Sequence, residues 1–193
     1  MPMIYETLVT TMSATGEVHL APMGVRYEGD EVVLMPFKPS TTLANILATG
    51  CAVLNLTTDV RVFAGCVTGH RDFATLPLEG FGGRRLQDTL AHVELELLRH
   101  EEDALRPVLH MARRREVAHA DFPGFNRAQA AVIEGAVLVS RLGMLARDKV
   151  EREMAYLQIA IDKTAGPAEL EAWRWLTDAV ERHHGGRPAA EAA

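Results

Sequence analysis

The chain has 193 residues, 48% hydrophobic and 24% charged, with a formal net charge of -6. That is the profile of one large globular domain or two small ones, and the acidic balance excludes nucleic acid as a partner over most of the surface. No apolar run reaches the ~18 residues of a membrane span, and no basic-then-apolar leader opens the chain. The expectation is therefore a cytoplasmic protein without a membrane partner.

Tyr5–Thr11 is rich in β-branched residues and predicts a first strand, closed by the Ala14-Thr15-Gly16 turn. Val18–Met23 predicts a second, in which Pro22 suits an edge or a bulge better than mid-sheet pairing. Gly24–Tyr27 and Val32–Pro36 read as strands around a Glu28-Gly29-Asp30 turn. The unbroken Val32-Val33-Leu34 run predicts burial on both faces. Thr42–Thr49 carries Leu43, Ile46 and Leu47 at helical spacing, with Gly50 as its C-cap. Cys51–Leu56 and Val60–Val67 predict two more strands, separated by Thr57, Thr58 and Asp59, and make Cys51 and Cys66 buried free thiols. Short strands at this spacing, interrupted by one short helix, favour a closed barrel over a βαβ sheet.

Leu76–Arg85 is Gly-rich but lacks the strand–helix context and the Lys-Ser/Thr ending of a nucleotide loop, so it reads as a flexible connection. Leu86, Leu90, Val93 and Leu97 predict an amphipathic helix over Leu86–Asp103. Pro107–Ala120 returns to strand character around the basic run Arg113-Arg114-Arg115. After Phe122-Pro123-Gly124 the pattern is helical. Asn126 caps a helix reaching Leu142, and Lys149–Lys163 forms a second with Val150, Met154, Leu157 and Ile161 in a stripe. Pro167 opens a third that ends near Gly185. The fold class expected is α+β, with a barrel domain over 1–122, a C-terminal helical domain over 123–185 and a disordered tail over 186–193.

The histidines show no zinc spacing, and HExxH and CxxC are absent, so no metal site is predicted. No Ser stands in a G-x-S-x-G elbow, which leaves a triad hydrolase unsupported and the catalytic residues unassigned. The densest chemistry lies in Lys38-Pro39-Ser40-Thr41-Thr42, where a strand ends in a basic, hydroxyl-rich loop that opens a helix. Free amides and the helix dipole favour a phosphate there; the competing reading is that Ser40 or Thr41 simply N-caps the helix. Asn55, Thr57 and Asp59 alternate, so in an extended chain they project to one side and suit the mixed edge of a heteroaromatic ring. They serve equally well to begin a turn.

At these residues the chain resembles the split-barrel flavin-binding superfamily and, within it, the domain-of-unknown-function 447 family. The matching words are Ala21-Pro22-Met23-Gly24-Val25, Pro36-Phe37-Lys38-Pro39-Ser40-Thr41-Thr42-Leu43-Ala44-Asn45, Asn55-Leu56-Thr57-Thr58-Asp59-Val60, Phe125-Asn126-Arg127-Ala128 and Ala131-Val132-Ile133-Glu134. The resemblance implies a split β-barrel followed by a C-terminal helical segment, binding FMN as a homodimer with the flavin near the subunit interface. It implies Lys38, Ser40, Thr41 and Thr42 for the phosphate, the Met23, Gly24 and Val25 backbone for the ring edge, and Asn45, Asn55 and Asp59 as supporting contacts. Leu43 follows Thr42 where an aromatic could stand, so no ring stacking is implied there. Three functions follow: an FMN-dependent oxidoreductase acting on a small, pterin-like substrate, a non-catalytic FMN-binding or carrier module, or a structural dimer without cofactor.

Overall fold

A computed structural model describes residues 3–185; the tail expected at 186–193 lies outside the described residues. The chain forms two compact units, one ending at Thr58 and resuming over Asp72–Phe122, the other built from Asp59–Arg71 and the chain from Pro123 onward.

The first unit is a closed antiparallel barrel of six strands. Its members are β1 (Tyr5–Met12), β2 (Val18–Glu28), β3 (Glu31–Leu34), β4 (Cys51–Leu56), β7 (Ala91–Glu101) and β8 (Val108–Ala118), in the order β1-β2-β3-β8-β7-β4. Pairing of Leu8–Thr10 with Val53–Asn55 closes the ring. Alternate residues point inward, and Val9, Val25, Val32, Leu34, Leu54, Leu95 and Met111 fill the interior at 0% exposure. Val32, Val33 and Leu34 are buried on both faces, as the apolar run requires. Helix α1 (Thr41–Thr49) packs on β1, β2 and β4. Its apolar side, Leu43 and Ile46, joins the barrel core, and Gly50 at φ 72 closes it in the left-handed conformation.

Three elements differ from the sequence reading. Val18–Met23 and Gly24–Tyr27 are one continuous strand, because no turn residue with a positive φ interrupts them. Leu86–Asp103 is not a helix: Val93, Leu95 and Leu97 alternate with Glu94 and Glu96, and β4 and β8 on either side satisfy that backbone as a strand. The period of two outweighs a leucine spacing that mimics a helix. Leu76–Arg85 is no flexible connection either. β5 (Thr75–Pro77) and β6 (Arg84–Leu86) form a hairpin in which Arg84 donates to the Thr75 hydroxyl (2.9 Å) and carbonyl (2.7 Å). Gly83 is required where the hairpin meets β4, since a Cβ there would lie 2.7 Å from Val53 Cγ2.

The second unit is helical. The strand expected over Val60–Val67 is helix α2 (Arg61–Thr68), started where Asp59 Oδ1 accepts the Arg61 amide (3.1 Å) and stopped by Gly69 at φ 94. Its buried face, Val62, Phe63 and Cys66, packs on the later helices α3 (Arg127–Val139) and α5 (Pro167–Gly185), and that tertiary burial overrides the β-branched propensity. Cys66 is thus buried on a helix, whereas Cys51 on β4 is only half-buried. Helices α3 (Arg127–Val139), α4 (Arg147–Thr164) and α5 (Pro167–Gly185) follow. Asn126 caps α3 by accepting from the Ala128 and Gln129 amides. Gly135 on α3 lets α5 approach: a Cβ there would meet Trp173 Cζ3 at 2.9 Å.

Candidate functional site

Strand β3 ends at Leu34 opposite Val25, and the chain leaves the sheet through exposed Phe37, Lys38 and Pro39 into α1. Ser40 sits in extended backbone (φ -151, ψ 151), and its Oγ accepts the Leu43 amide at 3.3 Å. The N-cap reading is therefore correct for Ser40, which leaves Thr41 exposed at the first turn. Lys38 is anchored by its backbone N–H, which donates to Leu105 O (2.8 Å), and its Nζ donates to Glu102 at 2.9 Å.

Those partners belong to the β7–β8 connection, which sequence reasoning had assigned to a helix end. Asp103 Oδ1 accepts the amides of Leu105 (2.8 Å) and Arg106 (2.7 Å), shaping a turn that presents Arg106. The Arg106 guanidinium lies 4.5 Å over the Phe37 ring and donates to Met35 O. Two cations, Lys38 and Arg106, thus lie along the loop that leads into α1, and Glu102 is the anionic partner of Lys38. The hydrogen bond from Lys38 holds the Glu102 carboxyl below its usual range. Arg106 carried no signal of its own in the sequence, since only the strand reading brings it to Phe37.

The other expected residues divide. Thr42 is 2% exposed and Asn45 6%, so both face inward, and Asn45 Nδ2 donates to Thr11 Oγ1 at 3.0 Å. Asn55 is fully buried on the outer face of β4. Its Nδ2 donates to Thr10 Oγ1 (3.0 Å), Val53 O (3.2 Å) and Leu8 O (3.3 Å), and its Oδ1 accepts the Leu86 amide (2.8 Å). Both N–H donors of Asn55 and one lone pair of its Oδ1 are used to tie β1 and the β5–β6 hairpin to β4, so the side chain is committed to the framework. Asp59 belongs to the second unit, where its carboxylate takes Arg61 Nε (2.9 Å) and Nη2 (2.7 Å). The alternation of Asn55, Thr57 and Asp59 breaks because β4 stops at Leu56 and a helix follows.

Met23, Gly24 and Val25 lie on β2 where its pairing changes. Val18–Gly24 pair with β1 alone, Arg26–Glu28 with β3 alone, and Val25 with both. That edge of the backbone is open beside the point where the Phe37–Thr41 loop leaves the sheet. Pro22, which has no N–H to offer, sits in the stretch that pairs with β1 alone. The Val25 side chain is in the barrel core, so only backbone at Met23 and Gly24 is available along this edge.

A second polar cluster lies on the outer face of β7 and β8. His92 Nδ1 and His119 Nε2 are 2.8 Å apart, and their rings stack at 5.1 Å. His92 Nε2 stands 3.7 Å from Glu94 Oε1, and both atoms are buried without a hydrogen-bond partner. Burial first, then His119, Arg85 and Arg115, push the His92 imidazole down to about 4, so the ring is neutral at pH 7. Burial and Arg85 lower His119 as well. Among the described residues no group of three or more His, Cys, Asp or Glu is placed to hold a metal ion, and no helix is long and apolar enough to cross a membrane.

Comparison with known proteins places this geometry. The model of the N-terminal domain of the protein family of unknown function DUF447 matches residues 5–120, and the companion DUF447 model matches residues 126–178. An FMN-bound protein from Methanosarcina mazei, itself assigned to that family, superposes with a TM-score of 0.78 at 21% identity, over 93% of this chain and 96% of that one. The 2-nitrobenzoate 2-nitroreductase of Pseudomonas fluorescens aligns at 18% identity and TM-score 0.55, over 62% of this chain and 66% of its own. Flavoredoxin from Methanosarcina acetivorans aligns at 14% identity and TM-score 0.52, over 60% and 69%. The shared architecture is the split barrel, here followed by C-terminal helices, that the sequence led us to expect.

Proposed function

The chain belongs to the DUF447 family, and from that premise we propose that it is an FMN-binding flavoprotein that works as a homodimeric oxidoreductase on a small, pterin-like substrate. The observation that carries the reading is the FMN-bound family member, similar over 93% of this chain. The residues fit the cofactor in part. Lys38, Thr41 and the first amides of α1 face outward together, with Arg106 beside them, and suit a phosphate carrying close to two negative charges. The open β2 backbone at Met23 and Gly24 suits the polar edge of the ring. Thr42, Asn45 and Asn55 hold this framework in place from within, and Ser40 fixes the start of the helix. When bound, the flavin supplies the redox chemistry, while the chain supplies position and charge.

Thr41→Glu tests the phosphate assignment, because the site is exposed and acidic residues suit a helix start. Thr42→Glu cannot serve, since it would bury a carboxylate. Loss of a charge-assisted contact is worth ~1.5–3 kcal/mol, about ten- to a hundredfold in affinity, and repulsion adds to it. FMN titrated into Thr41→Glu should weaken by at least that factor, while riboflavin, which lacks the phosphate, should change little. Equal weakening of both ligands refutes the phosphate site. A wild-type protein that takes up neither ligand refutes the flavoprotein reading itself.

A further inference from the structure

Strand β7 turns His92 and Glu94 away from the barrel core, on the face opposite to Val93 and Leu95. His92 stands between Asn55 on β4 and Val117 on β8, and Glu94 between Val53 and Arg115. His92 is 3% exposed and Glu94 6%. Polar groups buried this deeply are paired almost without exception, and an orphan points to a role beyond packing. Here two orphans face each other: His92 Nε2 and Glu94 Oε1 lie 3.7 Å apart, each without a hydrogen-bond partner. On its other side the ring is engaged, with Nδ1 2.8 Å from His119 Nε2. His119 is exposed, and its backbone amide donates to Leu90 O at 2.7 Å, which pins it beside β7. Among the described residues its Nδ1 has no partner. The three groups run in file from a buried carboxyl to solvent.

We propose that Glu94, His92 and His119 form a proton relay that makes Glu94 a buried acid–base site in exchange with solvent. A neutral imidazole carries one N–H and one lone pair, so the file has two self-consistent states. In the first, His92 donates from Nδ1 to His119, its Nε2 turns a lone pair to Glu94, and the carboxyl supplies the proton between them. His119 then keeps its own proton on Nδ1. In the second, His119 donates from Nε2, and His92 carries its proton on Nε2, facing an ionised Glu94. From first to second, the Glu94 O–H bond breaks as His92 Nε2–H forms. His92 Nδ1–H breaks as His119 Nε2–H forms, and the His119 Nδ1 proton leaves to water. One proton is released, one negative charge stays on Glu94, and neither ring becomes a cation. The surroundings favour such a route. Arg85 from β6 and Arg115 from β8 act on the pair, neither has a carboxylate partner among the described residues, and β4 adds only uncharged Val53 and Asn55. Burial and these charges keep both imidazoles neutral at pH 7. The 3.7 Å step closes by turning the Glu94 carboxyl about its last torsion, which is broad and soft. Working hydrogen bonds are often this long until a ligand tightens them. The relay stands apart from flavin binding and from the oligomeric state.

Side-chain NMR of the isotope-labelled full chain tests this between roughly pH 5 and 9, a range that spans the ordinary imidazole value. Long-range proton–nitrogen spectra report which ring nitrogen holds the proton, and the side-chain carbon reports the Glu94 carboxyl. Both rings should pass from Nδ1–H to Nε2–H together, at the midpoint of the Glu94 titration. In Glu94→Gln, which keeps the shape but cannot ionise, each ring should hold one tautomer throughout. In His119→Phe, which keeps a ring but removes the outlet, the single averaged carboxyl signal of wild type should split into separate acid and carboxylate signals, because exchange with solvent slows. A wild-type carboxyl that keeps one state across the range, or titrates while either ring holds its tautomer, overturns the relay. So does an imidazolium in either ring at pH 7, or a tautomer switch that survives in Glu94→Gln. The wild-type titration decides by itself where a variant misfolds.

Discussion

Lowering the pH from 7 to 5 should cost this protein about 2 kcal/mol of stability through His92 alone. An ordinary imidazole titrates near 6.5, and burial holds His92 at about 4. Above pH 6.5 the ring is neutral in both the folded and the unfolded chain and contributes no pH dependence. Between 6.5 and 4 the unfolded chain takes up a proton that the fold refuses, so stability falls with falling pH at up to about 1.4 kcal/mol per unit. Below 4 both states are protonated and the loss levels off. Desolvation of a ring only 3% exposed is the largest cause, and His119, Arg85 and Arg115 oppose the charge as well. Lowered His119 adds in the same direction. Carboxyls held low by their partners, such as Glu31 against Arg99 and His110, release their contribution only below their ordinary 4.5 and so lie outside this window. Urea unfolding of wild type and His92→Gln at pH 7, 6 and 5, followed by far-UV circular dichroism, isolates the effect as a difference in slope. Equal slopes in the two proteins, or a His92 ring resonance that titrates near 6.5, would refute the reasoning.

Two packing predictions follow from the same kind of arithmetic. Asn55→Ala leaves the Leu86 amide buried without its side-chain acceptor and removes the bonds to Thr10 Oγ1 and the Leu8 carbonyl. At ~1–3 kcal/mol for an unsatisfied buried group, a loss of that size is expected, with faster amide exchange at Leu86. Gly135→Val drives its Cβ to within 2.9 Å of Trp173 and 3.1 Å of Leu176, which should cost ~1–3 kcal/mol and shift the fluorescence of buried Trp173 to longer wavelength.

The sequence carried the barrel wherever local pattern and pairing agreed. β1, β3, β4 and the three C-terminal helices are legible because β-branched runs, Pro167 at a helix start, Asn126 as a cap and Gly50 as a stop act within a few residues. It misled where a long-range partner decides. Leu86, Leu90, Val93 and Leu97 spell a helix until β4 and β8 claim the backbone, and only then do His92 and Glu94 become a buried pair and Arg106 a neighbour of Phe37. Val60–Val67 spells a strand until α3 and α5 cover its apolar face. The candidate site divides along the same line. Lys38, Ser40 and Thr41 are identified by a motif that is local to one loop. Asn55 announces polarity on a strand, but whether that polarity faces a ligand or a neighbouring hairpin depends on Leu86, 31 residues away.

The Lys38–Glu102 pair is where the barrel's own chemistry meets the proposed cofactor. Lys38 is half-exposed and Glu102 more so, with side-chain exposures of 46% and 66%, so the pair is held by a contact that water and salt readily weaken. A phosphate arriving at the start of α1 must take Lys38 from Glu102 and tolerate the carboxylate left beside it. Glu102→Gln removes both obstacles while keeping a side chain able to accept from Lys38. FMN affinity should therefore rise on the order of a few-fold at low salt, with riboflavin affinity unchanged. The gain should fade as salt rises, because the Debye length shrinks from ~30 Å at 0.01 M to ~3 Å at 1 M. Titrating FMN into wild type and Glu102→Gln across that salt range provides the measurement. If Glu102→Gln instead weakens FMN, the carboxylate is not a competitor of the phosphate but the group that orients Lys38 towards it.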